Sequence, residues 1–152
     1  MLLAEIQALT ATGFLGAAKR RASGLDSARL AMLIAVLEKH GGLRLGDQDV
    51  YASALGGMRI IEPAADLATA LAIAGAFYER GAGAATVALG EIALSGEVRS
   101  VRQIDQRVQT AVRRGARLLL VPATQVASAR AAAPGAEVVP VGHLHDAIEH
   151  LA

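Results

Sequence analysis

GGMRIIEPAADLATALAIAG, residues 56–75, sets the architecture. A Gly-Gly break leads into a short strand over residues 58–61 and then into a helix with Pro63 in its first turn. Proline suits that place because the N–H it lacks would have no partner inside the helix. Glu62 and Asp66 put negative charge beside the positive end of the helix dipole. Between Leu67 and Tyr78 there is no charge and every face is apolar, up to a stop near Arg80. A helix apolar all round is a buried helix, so this one is expected at the centre of the core, its alanines letting neighbours approach closely.

Upstream, residues 2–9 alternate as a half-buried strand, and residues 19–23 form a second extended piece after breaks at Gly13 and Gly16. Asp26 is the expected N-cap of a helix that carries Leu30, Leu33, Ile34 and Leu37 at helical spacing and stops at Gly41-Gly42. Residues 49–55 read as a strand. Downstream of the central helix come strands over 86–92 and 97–101, separated by a Ser95-Gly96 turn, and a helix over 103–114 with Ile104, Val108, Ala111 and Val112 on one side. A buried strand over 118–121, a helix over 123–132 ended by Pro134-Gly135, a strand over 137–141 and a helix over 144–151 complete the chain. With no repeat, linker or low-complexity tract, this order predicts one α/β (α+β) domain over residues 1–152, a mixed sheet packed with helices.

The 152 residues, 53% of them hydrophobic, suffice for one core. The net charge is only +1, but Lys occurs at positions 19 and 39 alone and every other cation is Arg, the residue suited to bidentate contact with phosphate or carboxylate. Absence of cysteine excludes disulfides and thiolate metal sites and suits a reducing cytoplasm. The N-terminus, MLLAEIQALTATG, alternates and carries Glu5, which is not the pattern of a signal peptide. No uncharged apolar run approaches the ~18 residues of a membrane span, so no membrane partner is expected.

Several motifs fall short of chemistry. GFLGAAKR, residues 13–20, has neither the spacing nor the Ser/Thr of a phosphate-binding G-x-x-x-x-G-K-[ST] loop. His143, His145 and His150 lie near the C-terminus among Asp146 and Glu149, but on a helix only His145 with Glu149 and Asp146 with His150 share a face, and no H-E-x-x-H occurs. A solvated terminal helix is the expected reading. Ser95, Ser100 and Ser128 have no evident base partner.

LAEIQALT, KRRASGLDSARLAMLIAVLEKHGGLRLGDQDVY, GGMRIIEPAADLATALAIA and GEIALSGEVRSVRQIDQRVQTAVRRGARLLLVP together resemble the C-terminal domain of the RadA (Sms) family of bacterial DNA-repair proteins, from about Leu3 to Pro122. EPAADLA and GEIALSGEVR make the resemblance specific. That domain is similar to the proteolytic domain of Lon, so the resemblance implies a Lon-like fold and sets two functions in competition. Lon-type peptidases place a nucleophilic Ser in D-G-P-S-A-G and a Lys base in G-G-L-K-E-K. By resemblance these positions hold Ala64, in Ile61-Glu62-Pro63-Ala64-Ala65-Asp66, and Asp105. A methyl group cannot attack a carbonyl, and a carboxylate has no nucleophile there to activate. The peptidase alternative is therefore disfavoured.

The resemblance implies instead a non-catalytic module that builds a hexameric ring and holds single-stranded or branched DNA, beside a RecA-like ATPase that drives branch migration, with the recombinase RecA as a partner. The family's zinc motif, Walker A motif and K-N-R-F-G motif are absent from this sequence. It therefore looks like a C-terminal segment that needs no cofactor of its own, with ATP, Mg and Zn bound elsewhere in the parent.

Arg21 in KRR, Arg29 in GLDSAR, Arg59 in GGMRI and Arg99 in GEVR are the expected DNA contacts, with Lys19 and Arg20 as helpers. Arg29 stands out because it lies in the first turn of its helix, where the dipole disfavours a cation by up to ~1 kcal/mol. Arg107, Arg113 and Arg114 suit a subunit interface or solvent equally well. The aromatic residues are only Phe14, Phe77, Tyr51 and Tyr78, so backbone electrostatics, not stacking, must supply most of the affinity.

Overall fold

The computed structural model describes residues 1–14 and 16–151. The chain runs β1 (Ile6–Thr12), β2 (Arg20–Ser23), α1 (Ser27–Gly41), β3 (Gln48–Ala54), α2 (Asp66–Tyr78), β4 (Thr86–Ala88), β5 (Glu91–Ile92), β6 (Val98–Arg99), α3 (Ile104–Arg113), β7 (Leu118–Pro122), α4 (Val126–Ala132), β8 (Glu137–Val141) and α5 (Leu144–Ile148). Single 3-10 turns at Leu55–Gly57, Pro63–Ala65 and Ala123–Gln125 join some of these.

Helix α1 begins and ends as its sequence predicts. Asp26 caps it by accepting from the Arg29 N–H at 3.0 Å, and Gly42 closes it in the left-handed conformation (φ 77°), which glycine adopts without a steric cost. The Pro63 turn feeds α2, whose Leu67, Ala70, Leu71, Ile73, Ala74 and Gly75 are all buried. Each fully enclosed Leu or Ile of this kind contributes about 1.5–3 kcal/mol relative to exposure.

β3 is the middle strand of a mixed sheet in the order β1-β3-β2, antiparallel to β1 and parallel to β2. The strands after α2 do not extend it. β4, β7 and β8 form a second, all-parallel sheet in the order β4-β7-β8, and β5 and β6 form a hairpin. The core follows from this division. Inner residues Val50 and Ala52 of β3 join Leu30, Leu33 and Leu37 of α1, the α2 residues, and Leu120 and Val141 of the second sheet in one apolar cluster. Leu119, Val121 and Val138 point the other way, against Ile104, Val108 and Ala111 of α3 and Ala129 of α4. The alternation along β7 is the period-2 pattern of a strand buried on both faces.

Three expectations are corrected. Residues 58–61 are no ladder strand: Ile60 forms an isolated bridge with Leu25, its N–H donating to the Gly24 carbonyl at 2.7 Å. Gly24 is left-handed (φ 74°) and sits against the Met58 carbonyl, so β2 turns away before a ladder can grow. The strand expected over 86–92 is divided at Leu89-Gly90, where backbone bonds run to other elements: Leu89 donates to Leu120, Gly90 donates to Ala64 and accepts from Leu67. Val98 packs where a Gly90 Cβ would stand, 2.6 Å away. The first strand starts at Ile6 rather than Leu2, because its register with β3 begins at Ile6–Ala54.

Candidate functional site

The residues at the two peptidase-related positions lie on neighbouring elements. Ala64 is buried in the Pro63–Ala65 turn and packs in the cluster that contains Ile104 and Val108, while Asp105 is exposed in the first turn of α3. Arg107 joins the two pieces, donating through Nη2 to Glu62 Oε2 at 2.9 Å and through Nε to the Arg102 carbonyl at 2.6 Å. Ala64 presents only a methyl group there, and its carbonyl accepts from Gly90.

Beside this turn, Asp66 opens α2 with its carboxylate buried, 2% exposed. Arg29 grips it as a fork: Nε donates to Oδ1 at 2.6 Å and Nη2 to Oδ2, while the Ile92 N–H donates to Oδ2 at 3.0 Å. One carboxylate thus ties α1, α2 and β5 together. The hydrogen bond to Asp66 holds the Arg29 pKa above its ordinary value against an opposing effect of burial, with Asp66, Glu91 and Asp26 adding attraction. The cation that the sequence left anomalous at a helix N-terminus therefore has an internal partner. The signal for it was Asp66 itself, the last charge before an uncharged buried run.

The six candidate DNA-contacting residues separate into two groups and one inward-turned member. Arg29 and Arg59 line a cleft of about 710 Å³ together with Asp26, Met58, Glu62 and Asp66. Glu91 lies between Arg29, 3.8 Å from its Nη2, and Arg99, its cross-strand partner on β6. Arg21 instead lies exposed on the outer side of β2, and Lys19, also exposed, immediately precedes that strand. Arg20 between them turns inward, donating to the Leu45 carbonyl at 2.8 Å and to that of Gln48. Among the described residues Lys19, Arg21, Arg59 and Arg99 form no ion pair.

His143 and His145 have structural partners, while the His150 side chain is exposed. His143 caps α5, its Nδ1 accepting from the His145 N–H at 3.1 Å, which leaves the ring proton on Nε2 to donate to the Ser95 carbonyl at 3.2 Å. His145 pairs with Glu149 at 3.6 Å, one of the two pairs its spacing allows. Among the described residues no three His, Asp or Glu side chains converge as metal ligands. Of the loop over residues 13–20, Leu15 lies outside the described residues. Among the described residues no helix is long and apolar enough to cross a membrane.

A family model described as subunit ChlI of Mg-chelatase matches residues 58–125. Similar curated relatives are the DNA repair protein RadA of Mycobacterium tuberculosis, 44% identical over 121 residues (80% of this chain, 25% of the relative). RadA of Escherichia coli is 40% identical over 147 residues (97% and 32%), and RadA of Aquifex aeolicus 40% over 150 (99% and 33%). The chain thus spans about a third or less of the length of these relatives.

Proposed function

The chain belongs to the RadA family of DNA repair proteins, and on that footing we propose that it is a non-catalytic, DNA-binding and ring-forming module of a cytoplasmic DNA-dependent ATPase that drives branch migration in recombination. In this reading the scaffold is that of the Lon proteolytic domain without its chemistry. ATP, Mg and Zn are bound by other segments of the longer protein, six copies close a ring, and RecA is a partner.

One observation carries the nucleic-acid reading: Lys19, Arg21, Arg59 and Arg99 are exposed and free of ion pairs among the described residues, in a molecule that satisfies Arg20 and Arg29 internally. Free guanidinium and ammonium groups open to solvent suit phosphate oxygens. Arg29 meets a phosphate only through the part of its guanidinium that Asp66 leaves free. Each phosphate neutralised on a single strand contributes about −0.7 to the slope of log affinity against log salt, so these four cations give roughly −3. The test is single-stranded DNA binding by the full-length protein across a salt series. Each Ala variant is expected to shallow the slope by about 0.7 and to weaken binding alike across sequences, because phosphate contacts carry no base information. If all four retain wild-type affinity and slope, the module is a structural platform only.

The non-catalytic half rests on Ala64 and Asp105. Serine-directed probes are expected to leave the protein unlabelled, and labelling abolished by mutation of a single Ser would overturn this. Ala64→Ser with Asp105→Lys is expected to remain inactive, since catalytic groups must be held within roughly 0.5 Å by a supporting shell. Ring formation requires a heterologous interface repeated about an axis, and it presents several copies of a weak site to one strand. Sedimentation of the full-length protein as a strict monomer at high concentration would remove this part of the reading.

A further inference from the structure

The geometry points to a base-stacking site on the outer face of the β1-β3-β2 sheet, with Tyr51 as the stacking residue and single-stranded DNA as the occupant; this rests on the nucleic-acid reading above. Along β3 the residues alternate. Val50, Ala52 and Ala54 are buried inward, and Asp49, Tyr51 and Ser53 face out. The cross-strand register places Leu9 opposite Tyr51 on one side and Arg21 opposite it on the other. Paired residues on adjacent strands lie on the same face, about 4.8 Å apart from strand to strand, so Leu9, Tyr51 and Arg21 form one row. Leu9 is 62% exposed, and Gln7, Ala11, Lys19 and Ser23 of the same face are also exposed. Helices α1 and α2 pack against the opposite face, where Val50 and Ala52 meet Leu30, Leu33 and the α2 core. The outward residues of β1 and β2 are exposed, and Tyr51 between them is half-buried.

An aromatic ring on an open sheet, flanked by cations that track a phosphate backbone, is the arrangement by which proteins hold single strands without reading sequence. Lys19, the residue just before β2, and Arg21 are two residues apart, roughly 6.6 Å in extended chain, and Arg21 lies directly beside the ring. Asp49, the acid nearest the row, already accepts from the Lys19 N–H at 2.7 Å, and Glu5 lies beyond Gln7, two rows away. The position of Arg21 also separates two occupants. The row itself holds a cation and no acid, so a second copy laid row against row would set Arg21 against no carboxylate of that row, at a cost of several kcal/mol if the ion is buried unpaired, whereas a nucleic acid brings a phosphate to it.

The test compares an oligothymidylate with an abasic oligonucleotide of equal length, both bound to the full-length protein. Wild type is expected to prefer the thymidylate by about tenfold, the scale of one stacked base. Tyr51→Ala should abolish that preference while leaving the salt slope unchanged, and Tyr51→Phe should keep it, since the ring is retained. Arg21→Ala should shallow the slope on both oligonucleotides and keep the preference. A Tyr51→Ala protein that still prefers the thymidylate overturns the stacking assignment and leaves the phosphate contacts standing. If it keeps the preference but sediments as a smaller assembly, the face belongs to a second copy. Failure of wild type to bind either oligonucleotide removes the nucleic-acid reading and this inference together.

Discussion

The α1–α2–β5 junction and the outer face of the first sheet use the same residue type in opposite ways. At the junction, Arg29 is an internal tie, its fork closed on a carboxylate that is 2% exposed. On the sheet face, Arg21 stands in solvent in a row with Tyr51 and Leu9. Arg20, adjacent to Arg21 in sequence, belongs with the junction in kind, because backbone carbonyls of Leu45 and Gln48 lie within its reach. What decides between tie and free cation is whether a buried acceptor lies within the length of the side chain. A fork held by a buried partner stabilises the fold, and one left open is available to a ligand.

The contrast breaks most sharply at Arg29. Arg29→Ala leaves the Asp66 carboxylate buried with, among the described residues, only the Ile92 N–H, and a loss of about 3–5 kcal/mol in urea unfolding is expected. Arg29→Lys should recover only part of it, because a point charge cannot reproduce the two parallel bonds. A stability loss below ~1 kcal/mol would put Arg29 among the surface cations after all.

The joint between the two regions comes next. Gly24 ends β2 in a left-handed conformation with the Met58 carbonyl against it. Gly24→Ala is expected to cost about 1–3 kcal/mol, read as a lowered thermal midpoint. Little change would mean that the loop over 55–60 moves freely against the sheet.

Arg21→Ala sharpens the comparison from the other side. It should move stability by no more than about 0.5 kcal/mol, as exposed substitutions do, while removing about 0.7 from the salt slope of DNA binding. A destabilisation as large as that of Arg29→Ala would show that its guanidinium also has a buried partner. Arg113, exposed on α3 and 3.3 Å from the Thr110 hydroxyl, is the smallest case. Arg113→Ala is expected to change neither unfolding midpoint nor salt slope, and any change in slope would extend the DNA surface to α3.

The legible parts of the fold were those written in local chemistry. Asp26 and Gly42 announce both ends of α1, Pro63 marks the turn before α2, and the uncharged run from Leu67 identifies the buried helix. The site was less legible. KRR reads as three equivalent cations, yet strand alternation puts Arg20 on one side and Lys19 and Arg21 on the other. Tyr51 gave no signal of its own, since its place beside Arg21 and Leu9 depends on two strands pairing with β3 from opposite directions.

By itself, then, the sequence determined the helices, the candidate strands and the central place of α2, because caps, breakers and hydrophobic period act over a few residues. Tertiary structure alone decided that the strands of the described residues divide into three sheets, that residues 58–61 make one bridge instead of a ladder, and which arginines are tied. Those outcomes depend on partners far along the chain, Asp66 for Arg29, Leu45 and Gln48 for Arg20, and Leu25 for Ile60, and no local pattern encodes which distant acceptor comes within reach.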